Sequence, residues 1–215
     1  MAGRGWVAVA VAVAERPVVA VRVVRVAGPE RAKARELALE LAAERAGVAV
    51  DRLRLVRAGS GQPVVHGADG ALDVAVSISH VHGVIAVAAG SGVAGLGVDV
   101  EPIRPVAHQA LARRWFPAAE AAWIAEREPG QRSAAFLWLW TQKEALAKAR
   151  GQGLGGGRGL LRPVAAPDRW PSGPCAEIPA EREVASVAWP VTEQLMLAVA
   201  TRTAVGLNVR LMDGN

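Results

Sequence analysis

Two short segments hold the residues that could do chemistry. In Gly97-Val98-Asp99-Val100-Glu101 two carboxylates stand two apart, and on a β-strand residues so spaced point to the same side. In Trp140-Thr141-Gln142-Lys143-Glu144-Ala145-Leu146-Ala147-Lys148, Glu144 and Lys148 stand four apart, which on a helix puts a carboxylate and an ammonium on one face. Brought together, Asp99, Glu101 and Glu144 would supply three hard oxygen ligands and Lys148 a cation. Such a set suits Mg²⁺ holding a phosphate ester, and therefore phosphoryl chemistry. Each pair also has a plainer use, as solvated carboxylates at a strand end or as a surface helix pair. Their surroundings favour the first use. Apolar Val93 to Val98 and the following Pro102 place Asp99 and Glu101 at the mouth of a buried element, and Phe136-Leu137-Trp138-Leu139-Trp140 makes the helix apolar on several faces.

A third segment, Ser77-Ile78-Ser79-His80, is expected where a hairpin turns. There a hydroxyl, an imidazole and turn amides could donate to anionic oxygens, although a satisfied loop histidine has the same signature. Gly151-Gln152-Gly153-Leu154-Gly155-Gly156 formally contains GxGxxG. It follows a helix, whereas the dinucleotide fingerprint follows a strand and opens a helix, so that reading is rejected. A helix stop at Gly151 and a flexible loop from Gly151 to Pro174 account for the glycines.

The elements that must position these residues can be read from periodicity and turn residues. Trp6 to Ala14 and Val18 to Val26 read as two strands around a turn at Glu15-Arg16-Pro17. A helix follows from about Pro29 to Ala46, with Leu37 and Leu41 on its apolar face and Gly47 closing it. Then come a strand at Leu53 to Arg57, a turn at Gly59-Ser60-Gly61, a hairpin with arms Ala71 to Ser79 and Val84 to Ala89, and a strand at Val93 to Val100. The second half is expected to hold helices at Val106 to Arg127 and Gln131 to Arg150, strands at Glu183 to Trp189 and Gln194 to Thr201, and another strand near the C-terminus. The order of elements in the first half is loosely echoed in the second. This suggests an α+β fold of two related lobes, residues 1–104 and 105–215, with a ligand in the cleft between them.

Composition narrows the partners. The chain has 215 residues, 52% of them hydrophobic, with 25 Lys and Arg against 20 Asp and Glu. A net charge of +5 favours an anionic partner. The basic residues are scattered, with no run of five or six, which argues against nucleic acid. Cys175 is the one cysteine, so no intrachain disulfide can form and a reducing, cytoplasmic setting is expected. Arg4 and the apolar stretch Trp6 to Ala14 superficially resemble a signal peptide, but Val18 to Val26 follows at once, as a second strand would. No apolar run reaches the ~20 residues of a membrane helix, so no membrane is expected.

Taken in order and at these separations, the Ser77–His80, Gly97–Glu101 and Trp140–Lys148 segments resemble the signature of the Sfp-type 4′-phosphopantetheinyl transferases. Arg114-Trp115-Phe116-Pro117 followed by Glu120 resembles that family's Arg-Phe-Phe segment, and Gly151-Gln152-Gly153-Leu154 its Gly-Lys-Gly-Leu stretch. The similarity runs from about Leu53 to Leu154.

The resemblance implies a monomer of two pseudo-symmetric lobes that binds coenzyme A and Mg²⁺, or Mn²⁺ in its place, between them. It implies transfer of the phosphopantetheine arm to a serine of an apo acyl or peptidyl carrier protein, with release of adenosine 3′,5′-bisphosphate. By position Asp99, Glu101 and Glu144 would hold the metal, Ser79 and His80 would contact the nucleotide phosphates, and Lys148 would neutralise charge. Glu144 would also accept the serine proton, directly or through water. Gly61-Gln62-Pro63 stands where many relatives have Gly-Lys-Pro, so Gln62 is expected at coenzyme A in place of a cation. Val81-His82 replaces a usual second serine, with a hairpin turn expected to be a residue longer, and the basic helix of the first lobe is recognisable only as Arg31, Lys33 and Arg35. Two other classes remain open: a non-catalytic coenzyme A-binding protein, and a metal-dependent phosphohydrolase.

Overall fold

The computed structural model describes residues 17–152, 162–164, 184–202 and 208–212. The strand expected at Trp6 to Ala14, Cys175 and most of the stretch from Gly151 to Pro174 lie outside the described residues. In chain order the described elements are β1 (Val18–Arg25), α1 (Glu30–Ala46), β2 (Arg54–Arg57), β3 (Pro63–Gly67), β4 (Gly70–Val81), β5 (Val84–Gly90) and β6 (Leu96–Pro102). There follow α2 (His108–Trp115), α3 (Ala118–Ala125), α4 (Arg132–Ala149), β7 (Val184–Thr192), β8 (Leu195–Arg202) and β9 (Asn208–Met212).

The strands form two sheets, one ordered β2-β3-β4-β5-β1-β9 and one ordered β6-β8-β7. Each carries a long helix on the face turned away from the other sheet, giving an α/β/β/α stack. Side-chain alternation builds it. In β5, Val84, Ala86 and Ala88 face the core between the sheets, while Ile85, Val87 and Ala89 face α1. In β8, Leu195, Leu197 and Val199 face the inter-sheet core, while Met196, Ala198 and Ala200 face α4. Strands buried on both faces must be apolar throughout, which is why these runs lack the polar alternation of a half-exposed strand. Each fully buried Val, Leu or Ile there contributes about 1.5–3 kcal/mol over leaving it exposed.

α1 buries Ala34, Leu37, Ala38, Leu41 and Ala42 and ends at Gly47, whose φ of 65° is left-handed. The single helix expected from Val106 to Arg127 is two, α2 and α3. Phe116 is extended (φ −107°, ψ 155°) and Pro117 starts the next helix, because a proline ring disfavours helical backbone in the residue before it. The β4–β5 turn is the two residues His82 and Gly83, so it is not lengthened, and Ser77 to His80 lie within β4 instead of at the turn. Gly83 supplies the positive φ (73°) that tight hairpins favour. β3, between the Gly59–Gly61 turn and the hairpin, was not expected from the sequence.

Sheet membership crosses the division expected at residue 104. β6 precedes it and pairs antiparallel with β8 of the second sheet. β9 follows it and runs parallel to β1 at the edge of the first.

Candidate active site

The site begins with two glycines. In β6, Leu96, Val98 and Val100 face the first sheet, which leaves Gly97, Asp99 and Glu101 on the side of α4. A β-carbon at Gly97 would collide with the Ala145 carbonyl, and one at Gly95 with the Ala149 carbonyl. Glycine therefore lets α4 ride on the backbone of β6, with Ala145 and Ala149 as the small residues of the helix at the contact. Glu144 and Lys148 each precede one of those alanines by a single position. They are carried to the flank of the contact, beside Asp99.

Asp99 is 5% exposed. Its Oδ1 accepts from Lys148 Nζ at 2.8 Å and from Ser79 Oγ at 2.8 Å. Lys148 Nζ also donates to the Val98 carbonyl at 2.9 Å, and the Val98 amide donates to Ser77 Oγ at 3.0 Å. Among the described residues one edge of β6 has no neighbouring strand, and these bonds satisfy its backbone groups. Ser77 and Ser79 stand two apart on β4, so one face of the first sheet serves both Val98 and Asp99. Asp99 Oδ2 is buried and has no hydrogen-bond partner among the described residues.

Electrostatics set these carboxylates apart from surface ones. Burial pushes the Glu144 carboxyl up to about 7, the charge of Asp99 and that of Glu101 push the same way, and Lys148 opposes them. Glu101 is raised by burial and then by Asp99, with Arg104 and Lys148 opposing. Asp99 is raised by burial, against the charge and hydrogen bonds of Lys148 and Ser79. Burial raises all three carboxyls, Asp99 raises both glutamates and Glu101 raises Glu144 as well, so the site is short of positive charge. Among the described residues no three acidic or histidine side chains converge closely enough to form a metal site as they stand. The donor set nonetheless fits a hard divalent cation: all-oxygen ligands, mutual repulsion, and a buried Asp99 Oδ2 left without a partner.

Beside this cluster opens a cavity of about 610 Å³. Its wall includes Lys148, His80, Gln62 and three arginines, Arg31 and Arg35 of α1 and Arg57 of β2. Arg57 was not singled out in the sequence, and only its place in β2, opposite Pro63, brings it to the wall. Lys33, expected with Arg31 and Arg35, instead pairs with Glu36 at 2.9 Å. His80 reaches the cavity, whereas the Ser79 hydroxyl is spent on Asp99 and Ser77 lines the wall. Gln62 Nε2 donates to the main-chain carbonyl of Lys148 at 2.6 Å.

Sequence reasoning also passed over Lys143. It is 1% exposed and pairs with buried Glu120, its Nζ standing 2.8 Å from Oε2 and 3.0 Å from Oε1. Burial pushes Lys143 down and Glu120 up, and each partner opposes the other's shift. Lys143 also donates to the Arg162 carbonyl, and Glu120 accepts from the Val164 amide at 2.7 Å. The pair thus fastens residues 162–164 to α3 and α4, and ties Glu120 to the helix that bears Glu144. Phe116, 5% exposed and stacked on Phe136 at 5.0 Å, is a core residue.

Residues 95–200 match the model of the 4′-phosphopantetheinyl transferase superfamily. The matched span, about half of the chain, belongs to that superfamily. Over 69 residues the chain is 38% identical to a protein of Synechocystis sp. named "putative 4′-phosphopantetheinyl transferase". The alignment takes in 32% of this chain and 28% of that protein, so the chain spans well under a third of the relative's length in the match. The superfamily span holds Gly97, Asp99, Glu101, Glu120, Lys143, Glu144 and Lys148. Arg31, Arg35, Arg57, Gln62, Ser77 and His80 precede it, and so belong to the part of the cavity that this chain supplies outside the matched span.

Proposed function

We propose that the protein transfers the 4′-phosphopantetheine arm of coenzyme A to a serine of an apo acyl or peptidyl carrier protein, as an Sfp-type member of its superfamily. The observation that carries this reading is the cavity that joins Arg31, Arg35, Arg57 and His80 on one side to Lys148, the partner of Asp99, on the other. A ligand with a nucleotide phosphate and a pyrophosphate has anionic groups to meet both ends, and the cavity volume suits a cofactor-sized molecule.

In the proposed step the serine Oγ attacks the phosphorus that bears the pantetheine arm. A new P–O bond forms to serine, the pyrophosphate P–O bond breaks, and adenosine 3′,5′-bisphosphate leaves with that bonding pair. Glu144, held near 7, is suited to take the serine proton at neutral pH. Lys148 offsets charge that builds on the phosphoryl oxygens, from a position fixed by Asp99 and Val98. Asp99, Glu101 and Glu144 would hold Mg²⁺, or Mn²⁺, which when bound supplies further neutralisation of the pyrophosphate. Little else is required, since phosphoryl transfer depends on alignment and charge more than on an activated nucleophile.

Release of adenosine 3′,5′-bisphosphate tests the reading. Release that requires an apo carrier and is matched by loss of free carrier serine supports transfer. Release without any carrier would make the protein a phosphohydrolase, and binding of coenzyme A with no product would make it a binding protein.

A further inference from the structure

Gln62 stands in the connection between β2 and β3, but its side chain reaches α4. Its Nε2 lies 2.6 Å from the Lys148 carbonyl, and a carbonyl can only accept, so the amide presents its NH₂ side there. That carbonyl belongs to the last turn of α4, where backbone acceptors have no partner further along the helix. The Gly151 amide also donates to it, at 2.9 Å. At its other end the same lysine is held by Val98 and Asp99, at 2.9 Å and 2.8 Å. Lys148 is therefore fixed twice, through its main chain by the first sheet and through its ammonium by the second.

Both sides of the Gln62 contact are shaped for it. The turn that presents Gln62 is closed by the Ala58 amide on the Gln62 carbonyl (2.9 Å) and the Gly61 amide on the Ala58 carbonyl (2.8 Å), with Gly61 at a φ of 84°. Across the cleft Gly151 has a φ of 66°, and a β-carbon there would lie 2.8 Å from Gln62 Oε1. Glycine at 151 thus meets two demands, a left-handed backbone and room for the amide. The positive charge of this wall comes from Arg31, Arg35 and Arg57, and Gln62 adds none.

We infer that Gln62 is a positioning residue: its amide clamps the end of α4 to the first lobe and so sets where the Lys148 ammonium stands against Asp99. The inference rests on the transfer reading for its effect on turnover, but the clamp itself is a property of the fold. It gives Gln62, expected from the sequence at coenzyme A in place of a relative's cation, a contact with the helix end instead.

Gln62→Met keeps the length of the side chain and removes the donor, and Gln62→Lys restores a donor. With coenzyme A, Mg²⁺ and a carrier that the parent enzyme modifies, Gln62→Met is expected to lower kcat about tenfold, the size of effect that loss of one hydrogen bond can produce. KM for coenzyme A should hardly change, and Gln62→Lys should recover kcat. Independently of activity, hydrogen exchange at the Gly151 and Gln152 amides should be faster in Gln62→Met than in the parent and slow again in Gln62→Lys. A raised KM with unchanged kcat would overturn the inference in favour of direct ligand contact, and unchanged exchange would overturn the clamp. If the parent modifies no carrier, the transfer reading fails while the exchange comparison still decides the clamp.

Discussion

Lys148 Nζ stands 2.8 Å from Asp99 Oδ1, and the contact exists because Gly95 and Gly97 let α4 lie directly on β6. The Asp99 side chain is 7% exposed and the Lys148 side chain 32%. Removing the ammonium therefore strands a buried carboxylate more than it bares a lysine. Lys148→Met is expected to cost about 1.5–3 kcal/mol of stability in denaturant titration, the range for hydrogen bonds to charged groups, and to suppress transfer. Adding Asp99→Asn should return much of the stability and none of the activity. A Lys148→Met protein as stable as the parent would mean that the pair does not hold in solution.

Glu144→Gln separates chemistry from folding. It removes the proposed proton acceptor and a metal ligand, so turnover should fall at least by the 10²–10⁴ that general base action contributes, roughly, in other enzymes. Its metal-free Tm at pH 8 should not fall, because an ionised Glu144 is opposed by Asp99 and Glu101. Near-normal turnover would remove Glu144 from the mechanism.

The raised Glu144 carboxyl also fixes a pH dependence. Its ordinary value is 4.5 and its folded value about 7. Between these the folded protein holds more protons than the unfolded chain, so stability should decline as pH rises through that window. A divalent cation bound by the ionised carboxylates opposes the decline and competes with protons. Metal-free Tm should thus be lower at about pH 8, above that window, than at about pH 5.5, inside it, and Mg²⁺ should raise Tm more at the higher pH. Equal Mg²⁺ effects at both pH values would contradict a metal site made of these residues.

Arg113 and Arg114 are exposed on α2, with Arg114 over the Trp115 ring at 5.1 Å. Trp115 is partly buried against the core around α4, so the arginines are the exposed groups and the indole is only partly left to meet a partner. If an acidic carrier docks there, added salt should raise its KM far more than that of coenzyme A, since exposed charges are screened beyond ~10 Å at 0.1 M. Arg113→Glu should weaken carrier use and leave coenzyme A binding intact. Equal salt sensitivity of both substrates would move docking elsewhere.

What the sequence disclosed depended on whether a residue's role was local. Asp99 and Glu101 on one strand face, and Glu144 and Lys148 on one helix face, follow from fixed periodicities, and the structure places them accordingly. Gly47 and the hairpin arms were legible for the same reason. Arg57, and the commitment of Ser79 to Asp99, depend on which strands become neighbours, and the pattern within one strand does not state that. Lys143 looked like one more charge in a helix, because its partner Glu120 is 23 positions away. The return of β9 to the first sheet is likewise a matter of long-range pairing. Pro117 was a local signal present in the sequence and passed over: it divides α2 from α3.

Incubation of the protein with coenzyme A, Mg²⁺ and a panel of apo acyl and peptidyl carrier proteins, read by intact mass, tests the central claim most directly. At least one carrier should gain the mass of a single phosphopantetheine group, only with the metal present, and not when its acceptor serine is replaced by alanine or when Glu144→Gln replaces the parent enzyme. Carriers that stay unmodified across the panel, while the protein binds coenzyme A or cleaves its pyrophosphate unaided, would contradict it.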